Sequence, residues 1–179
     1  MAIPIPDETI LGILAAKPQH GYELLARFQS PRELGLVWTM STSQLYAVLK
    51  RLETNGLIRG RDIETGEAPT RRQFTIRTAG RRQLAAWMHE PKLSSSVRQI
   101  RVQFMSKLYI SRLLGVPTAR LIERQKRACL KQHSKLLAQQ KDSLKDMERL
   151  VLGFVIGQLD SVIGWLDHCE EKMPEISLS

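Results

Sequence analysis

Ser41, Ser43, Gln44, Tyr46 and Lys50 crowd into one short stretch, STSQLYAVLKRLETNGLI (41–58). Two hydroxyls, an amide, a phenol and an ammonium are groups that bind phosphate oxygens and base edges. At a helix start, Ser41, Ser43 and Gln44 would join free backbone N–H groups and a helix dipole that already favour an anion. Tyr46 offers a hydroxyl to phosphate and a ring edge to a base, and Lys50 a point charge to a nucleic-acid backbone. Gln44 pairs with adenine if it reaches a base edge. No arginine falls at the centre of this face, and Arg51 lies toward its edge. The bidentate guanine contact is therefore not expected, and DNA shape is expected to carry part of any specificity. The plain alternative for these residues is a solvated polar face.

The stretch also encodes the helix that would carry them. Leu45, Val48, Leu49 and Leu52 recur at i, i+3, i+4 and i+7. Ser41 with Gln44 makes a capping box, and Asn55-Gly56 is a stop. Ser43, Tyr46, Ala47 and Lys50 point away from that apolar stripe.

Upstream, Asp7 caps a helix bearing Ile10, Leu11, Ile13 and Leu14, which ends near Lys17-Pro18 because a residue before proline avoids the helical region. His20-Gly21 opens a second helix with Tyr22, Leu24, Leu25 and Phe28, and Ser30-Pro31 ends it. Residues 31–40 connect, with Leu36 and Trp38 as apolar anchors. Downstream the period changes to two: Phe74 and Ile76 alternate with Gln73, Thr75 and Arg77. Residues 57–64 supply a partner strand, and TGEAP, with Gly66 and Pro69, the turn. The hairpin 57–77 bears Arg59, Arg61, Arg71 and Arg72. The latter two adjoin the turn and are the expected DNA contacts, although a charged sheet edge also serves to prevent aggregation. Thr78 caps a further helix that ends before Pro91. Three helices, a two-stranded hairpin and a fourth helix, over residues 1–91, make a winged helix-turn-helix DNA-binding domain whose third helix would enter the major groove.

From residue 92 to 179 only helix signals are found, so the fold class is mainly α. PKLSSS (91–96) is a linker. Val97, Ile100, Phe104 and Leu108 form one stripe over 97–114, broken by Gly115 and Pro117. A long polar helix from Thr118 to about Asp146 repeats Leu130, Leu137 and Leu144 every seven residues, and Val151 continues the series. Its other heptad positions are His133, Gln140 and Met147, which suits an antiparallel pair or a partner subunit better than a zipper. The last helix, about 149–172, is apolar. Gly153 and Gly157 cost it stability unless something packs closely there.

The 179 residues carry 27 Lys+Arg against 18 Asp+Glu, a net charge of +9 that favours an anionic partner. No uninterrupted apolar run of spanning length and no leader pattern is seen, so a cytoplasmic protein with no membrane partner is expected. Cys129 and Cys169 lie outside any CxxC, which argues against a disulfide framework or a zinc site. GxSxG, HExxH and P-loop motifs are missing, and His20, His89, His133 and His168 are scattered. No catalytic site, metal or cofactor is expected. The competing class is a winged helix used for protein–protein assembly.

The order LGIL, HGYELLARF, SQLYAVLKRLETNGLI, TRRQFTIRTAGRRQL and Trp87 resembles the PadR family of bacterial transcriptional regulators over about residues 8–90. RVQFMSKLYI (101–110) and IGWLDHCEE (163–171) resemble the helical C-terminal domain of the virulence-activator-like branch. The resemblance implies a homodimer joined by C-terminal helices, with residues 92–179 as the α-helical dimerisation domain, and a roughly palindromic operator. Members usually repress, though that branch includes activators, and often respond to a small aromatic or apolar ligand near the dimer interface. It puts Tyr46 and Lys50 on the recognition helix. Tyr22, in HGYE, has two readings: a phosphate contact or, favoured, a core residue. His20 resembles a cap. Trp38, Trp87, Phe104, Phe154 and Trp165 are candidates for a pocket lining, against their simpler use as core and interface fillers. Glu67 beside the basic pair departs from a purely basic wing.

Overall fold

Residues 6–65, 68–140 and 145–172 are described by a computed structural model. Residues 1–5, Gly66, Glu67 and Leu144, on which parts of the reading above rest, lie outside the described residues.

The chain runs α1 (Asp7–Ala16), β1 (Gln19–His20), α2 (Gly21–Gln29), α3 (Thr42–Thr54), β2 (Ile58–Thr65), β3 (Ala68–Ile76) and α4 (Thr78–His89). A helical run then comprises α5 (Val97–Gln99), a π-helical turn (Ile100–Phe104) and α6 (Met105–Leu113), followed by α7 (Ala119–Leu137) and α8 (Asp146–Lys172). Two compact units result: one holds the chain up to Pro91 together with Met105–Val116, the other Lys92–Phe104 together with Pro117 onward.

In the first unit, the apolar stripes of three short helices meet. Ile10, Leu11 and Ile13 from α1, Leu24 and Phe28 from α2, and Leu45, Leu49 and Leu52 from α3 are all buried, closed over by Ile58 and Phe74. Each such side chain contributes about 1.5–3 kcal/mol relative to exposure, so no helix here is stable apart from the others. α3 begins where its cap lies: Gln44 N–H donates to Ser41 Oγ at 3.2 Å and Ser41 N–H to Gln44 Oε1 at 2.8 Å. It stops at Gly56, whose φ of +69° favours glycine.

Several expectations shift. Asp7 is the first helical residue after Pro6 and makes no cap; its buried carboxylate instead takes two bonds from Arg51 of α3. Thr78 likewise follows its cap residue, Arg77. Leu36 is 75% exposed, and fully buried Leu34 does the anchoring, because the connector turns back on α2 through Leu34 N–H to Arg27 O. The hairpin also gains a third strand: Gln19 and His20 pair with Phe74 and Gln73, giving the order β1-β3-β2. Two residues are too few for any periodic signal.

The run after the linker is not one uninterrupted α-helix. Its π-helical turn inserts an extra residue and shifts the helical phase. Ile100, Val102 and Phe104 are buried on the second unit's side of that turn. Ile110 of α6 is fully buried in the first core. There α1 and α6 pack so closely that a Cβ on Gly12 would lie 2.6 Å from Ile110 Cγ2.

In the second unit, α7 ends at Leu137, short of the expected Asp146, as Ala138 and Gln139 N–H groups fold back on Ser134 and Leu136. α8 starts at Asp146, where Asp146 and Glu148 favour a helix N-terminus and Glu148 accepts the Lys145 N–H at 3.0 Å. Lys126 binds Asp167 at 2.6 Å and Glu170 at 2.7 Å, and His133 binds Asp160 at 2.8 Å. Later residues of α7 thus meet earlier ones of α8, and the pair is antiparallel. The two carboxylates hold the Lys126 ammonium well above its usual range. The heptad is therefore split between two helices, and its leucines face outward: Leu130 and Leu137 are 44% and 43% exposed. Among the described residues α8 alone is long and apolar enough to cross a membrane. Its Asp160 and Asp167 are both paired with α7.

Candidate nucleic-acid interface

Ser41, Ser43, Gln44, Tyr46 and Lys50 are all exposed along α3, as a helix with its leucines inward requires. Ser41 and Ser43 hydroxyls lie 3.1 Å apart. Gln44 Oε1, the atom an adenine amino group would need, is held by the Ser41 N–H.

Tyr46 leans on the start of α2. A Cβ on Gly21 would come within 2.7 Å of its hydroxyl, so glycine there leaves room for the ring. The next residue, Tyr22, is 54% exposed, and the core reading of it is wrong. Its ring stacks on His20 at 5.7 Å, and the Arg71 guanidinium lies 5.6 Å over it. Tyrosine rings and a cation thus continue the polar face of α3 across α2 to the wing. His20 stands at the N-cap of α2, its N–H donating to Glu23 Oε2 at 2.7 Å.

Strand alternation separates the two arginines that the sequence put together. Arg71 reaches Tyr22, whereas Arg72 sits over the Phe74 ring at 6.0 Å and gives two 3.0 Å bonds to the Glu53 carboxylate. Arg59 and Arg61 lie opposite Thr75 and Gln73. With those two and neighbouring strand residues they line an open recess of about 550 Å³.

The Gly60 N–H, then Arg72, hold the Glu53 carboxyl below its usual range. Glu53 and Gly60 escaped the sequence reading. The strand period was the available signal: a buried Phe74 places Arg72, not Arg71, on the inner face beside α3.

Residues 10–86 match the transcriptional regulator PadR-like family. The chain carries a PadR-like regulator domain over these residues. It is 29% identical to a probable transcriptional regulator of Mycobacterium tuberculosis, across 98% of this chain and 99% of that one. It is 31% identical to the negative transcriptional regulator PadR of Bacillus subtilis, across 56% of this chain and 53% of that one. A crystal structure of Bacillus subtilis PadR in complex with operator DNA is 23% identical, covers 94% of this chain and 99% of that one, and has a TM-score of 0.48. The family and these relatives are regulators, not enzymes.

The candidate aromatic residues are divided between the two units. Half-buried Trp38 and Trp87 belong to the first unit: Trp38 donates to Ser106 Oγ at 2.9 Å, and Lys107 Nζ lies 5.2 Å over Trp87. In the second unit Phe104 and Trp165 meet edge to face at 6.1 Å, while Phe154 is 66% exposed. Burial pushes the thiols of Cys129 and Cys169 up, away from the reactive thiolate.

Proposed function

We propose that the protein is a cytoplasmic, homodimeric repressor that binds a roughly palindromic duplex operator through α3 and the wing. One observation carries the reading: the exposed face of Ser41, Ser43, Gln44, Tyr46 and Lys50 runs on through Tyr22 to Arg71, in a chain whose helix order is a winged helix. Ser43, Tyr46, Lys50, Tyr22 and Arg71 are the contacts we assign. Gln44 contributes its Nε2 and the helix cap.

The residue ranges 1–91 and 92–179 serve binding and dimerisation, with α6 lending its apolar side to the first. Support for dimerisation is an apolar face left open on α8: Met147, Leu150, Val151 and Phe154 are 68%, 68%, 55% and 66% exposed. They stand at i, i+3, i+4 and i+7, and among the described residues nothing lies within 4 Å of a Cβ built on Gly153 or Gly157 beside them. A second copy's helix would bury this stripe. The resemblance adds a small aromatic or apolar effector, for which Phe104 and Trp165 are the aromatic pair the second unit offers.

Duplex binding measured against salt tests the reading. Affinity should fall steeply, and Lys50→Ala should reduce the slope by about 0.9 per subunit. Salt-independent binding, or none to any genomic fragment, refutes it and leaves the assembly module. Sedimentation tests the dimer: Leu150→Glu with Phe154→Glu should yield monomers, and a persistent dimer refutes the assignment of this face.

A further inference from the structure

One carboxylate joins the recognition helix to the wing. Glu53, next to last in α3, accepts the Gly60 N–H of β2 at 2.8 Å through Oε1. Arg72 Nη2 of β3 donates to both of its oxygens at 3.0 Å. The far side of the guanidinium is held as well, with Nη1 3.9 Å from Asp62 Oδ1 and the Phe74 ring beneath. Gly60 pairs with Phe74 across the hairpin. A Cβ on Gly60 would fall on Arg72 Nε and lie 3.0 Å from Glu53 Oε1. Only glycine lets the carboxylate, the strand backbone and the guanidinium meet in this way.

We infer that Glu53 is a positioning residue for DNA recognition, fixing the wing against the end of α3 through Gly60 and Arg72 so that Arg71 meets the phosphates. Arg72 is thereby reassigned from DNA contact to clamp. The inference rests on the DNA-binding reading above. Physically it follows from the planar guanidinium having several donors: Nη2 serves both Glu53 oxygens while Nη1 is turned to Asp62 and the plane lies over Phe74, a combination that a single ammonium nitrogen cannot hold. The ionised form of Glu53 is favoured here by the Gly60 N–H and by Arg72, so the clamp is closed at neutral pH.

The test is binding of the full-length protein to a duplex recovered from sheared genomic DNA by the wild-type protein, across a series of salt concentrations. Arg72→Lys keeps the charge and loses the planar guanidinium that joins Glu53, Asp62 and Phe74; Arg72→Gln loses both. The clamp predicts that both weaken binding by about tenfold with the salt slope unchanged. Glu53→Gln should do the same, and Glu53→Gln with Arg72→Gln should be no worse than either alone. Arg71→Gln, by contrast, should lower the slope by about 0.9 per subunit. Circular dichroism confirms that each variant is folded. The clamp is overturned if Arg72→Lys binds like wild type while Arg72→Gln loses slope, the pattern of a direct phosphate contact. It is overturned equally if Glu53→Gln binds like wild type. In both cases Lys50→Ala still lowers the slope, so the DNA-binding reading survives. If wild-type binding has no salt dependence, both readings fall together.

Discussion

Removing the two halves of the Asp7–Arg51 pair should have unequal consequences, because the partners differ in their access to water. The Asp7 side chain is 8% exposed and that of Arg51 44%. In Asp7→Ala the guanidinium turns to solvent. The loss is then a partly exposed ion pair, about 1 kcal/mol, and an acid in the first turn of α1, about 0.5 kcal/mol. In Arg51→Ala the carboxylate stays where it is, buried and uncompensated. Breaking a buried pair from that side costs about 3 kcal/mol or more. The double variant leaves no charge behind and should lie near Asp7→Ala, above Arg51→Ala in stability. Urea unfolding at one fixed protein concentration reads these differences as midpoint shifts, with the slope against urea unchanged. The reasoning fails if Asp7→Ala costs as much as Arg51→Ala, or if the double variant costs the sum of the two.

Three further outcomes follow from close contacts and burial. Gly12→Ala forces a methyl onto Ile110, 2.6 Å from Cγ2, where α1 and α6 cross; thermal unfolding should show a loss of about 1–3 kcal/mol. Burial, then the bond to Glu33, pushes Tyr109 up to about 12 against an unfolded value near 10. Between those pH values the unfolded chain releases the proton first, so stability should fall by about 2 kcal/mol as pH rises, and Tyr109→Phe should abolish that part of the fall. Cys129 and Cys169, both buried, should react with a thiol reagent only in denaturant; rapid reaction in the native protein contradicts their placement.

What the sequence made legible depended on how locally each feature is encoded. α3 was readable from end to end. Its stripe, its reciprocal Ser41–Gln44 cap and its Gly56 stop lie within one segment, and all are present. The run from Val97 to Leu113 was not readable in this way. An apolar stripe says that residues are buried but not in which core, and a π-helical turn at Ile100–Phe104 divides one stripe between two units. The loss of the heptad has the same origin: a seven-residue repeat counts through a helix end, so Leu137 and Val151 matched in register while belonging to different helices.

The wing is a third case, in which the alternation is local and the partner it selects is not. Adjacent residues on a strand face opposite ways. Arg71 and Arg72 therefore could not both face DNA once Phe74 was placed in the core. What no pattern could supply was the acid that receives Arg72, since Glu53 is nineteen positions away and on a different element. A basic count along a hairpin overstates its phosphate contacts whenever the helix before it carries a carboxylate within reach. Here strand alternation turns Arg72 inward, Glu53 receives it, and Arg71 stays on the outer face beside Tyr22.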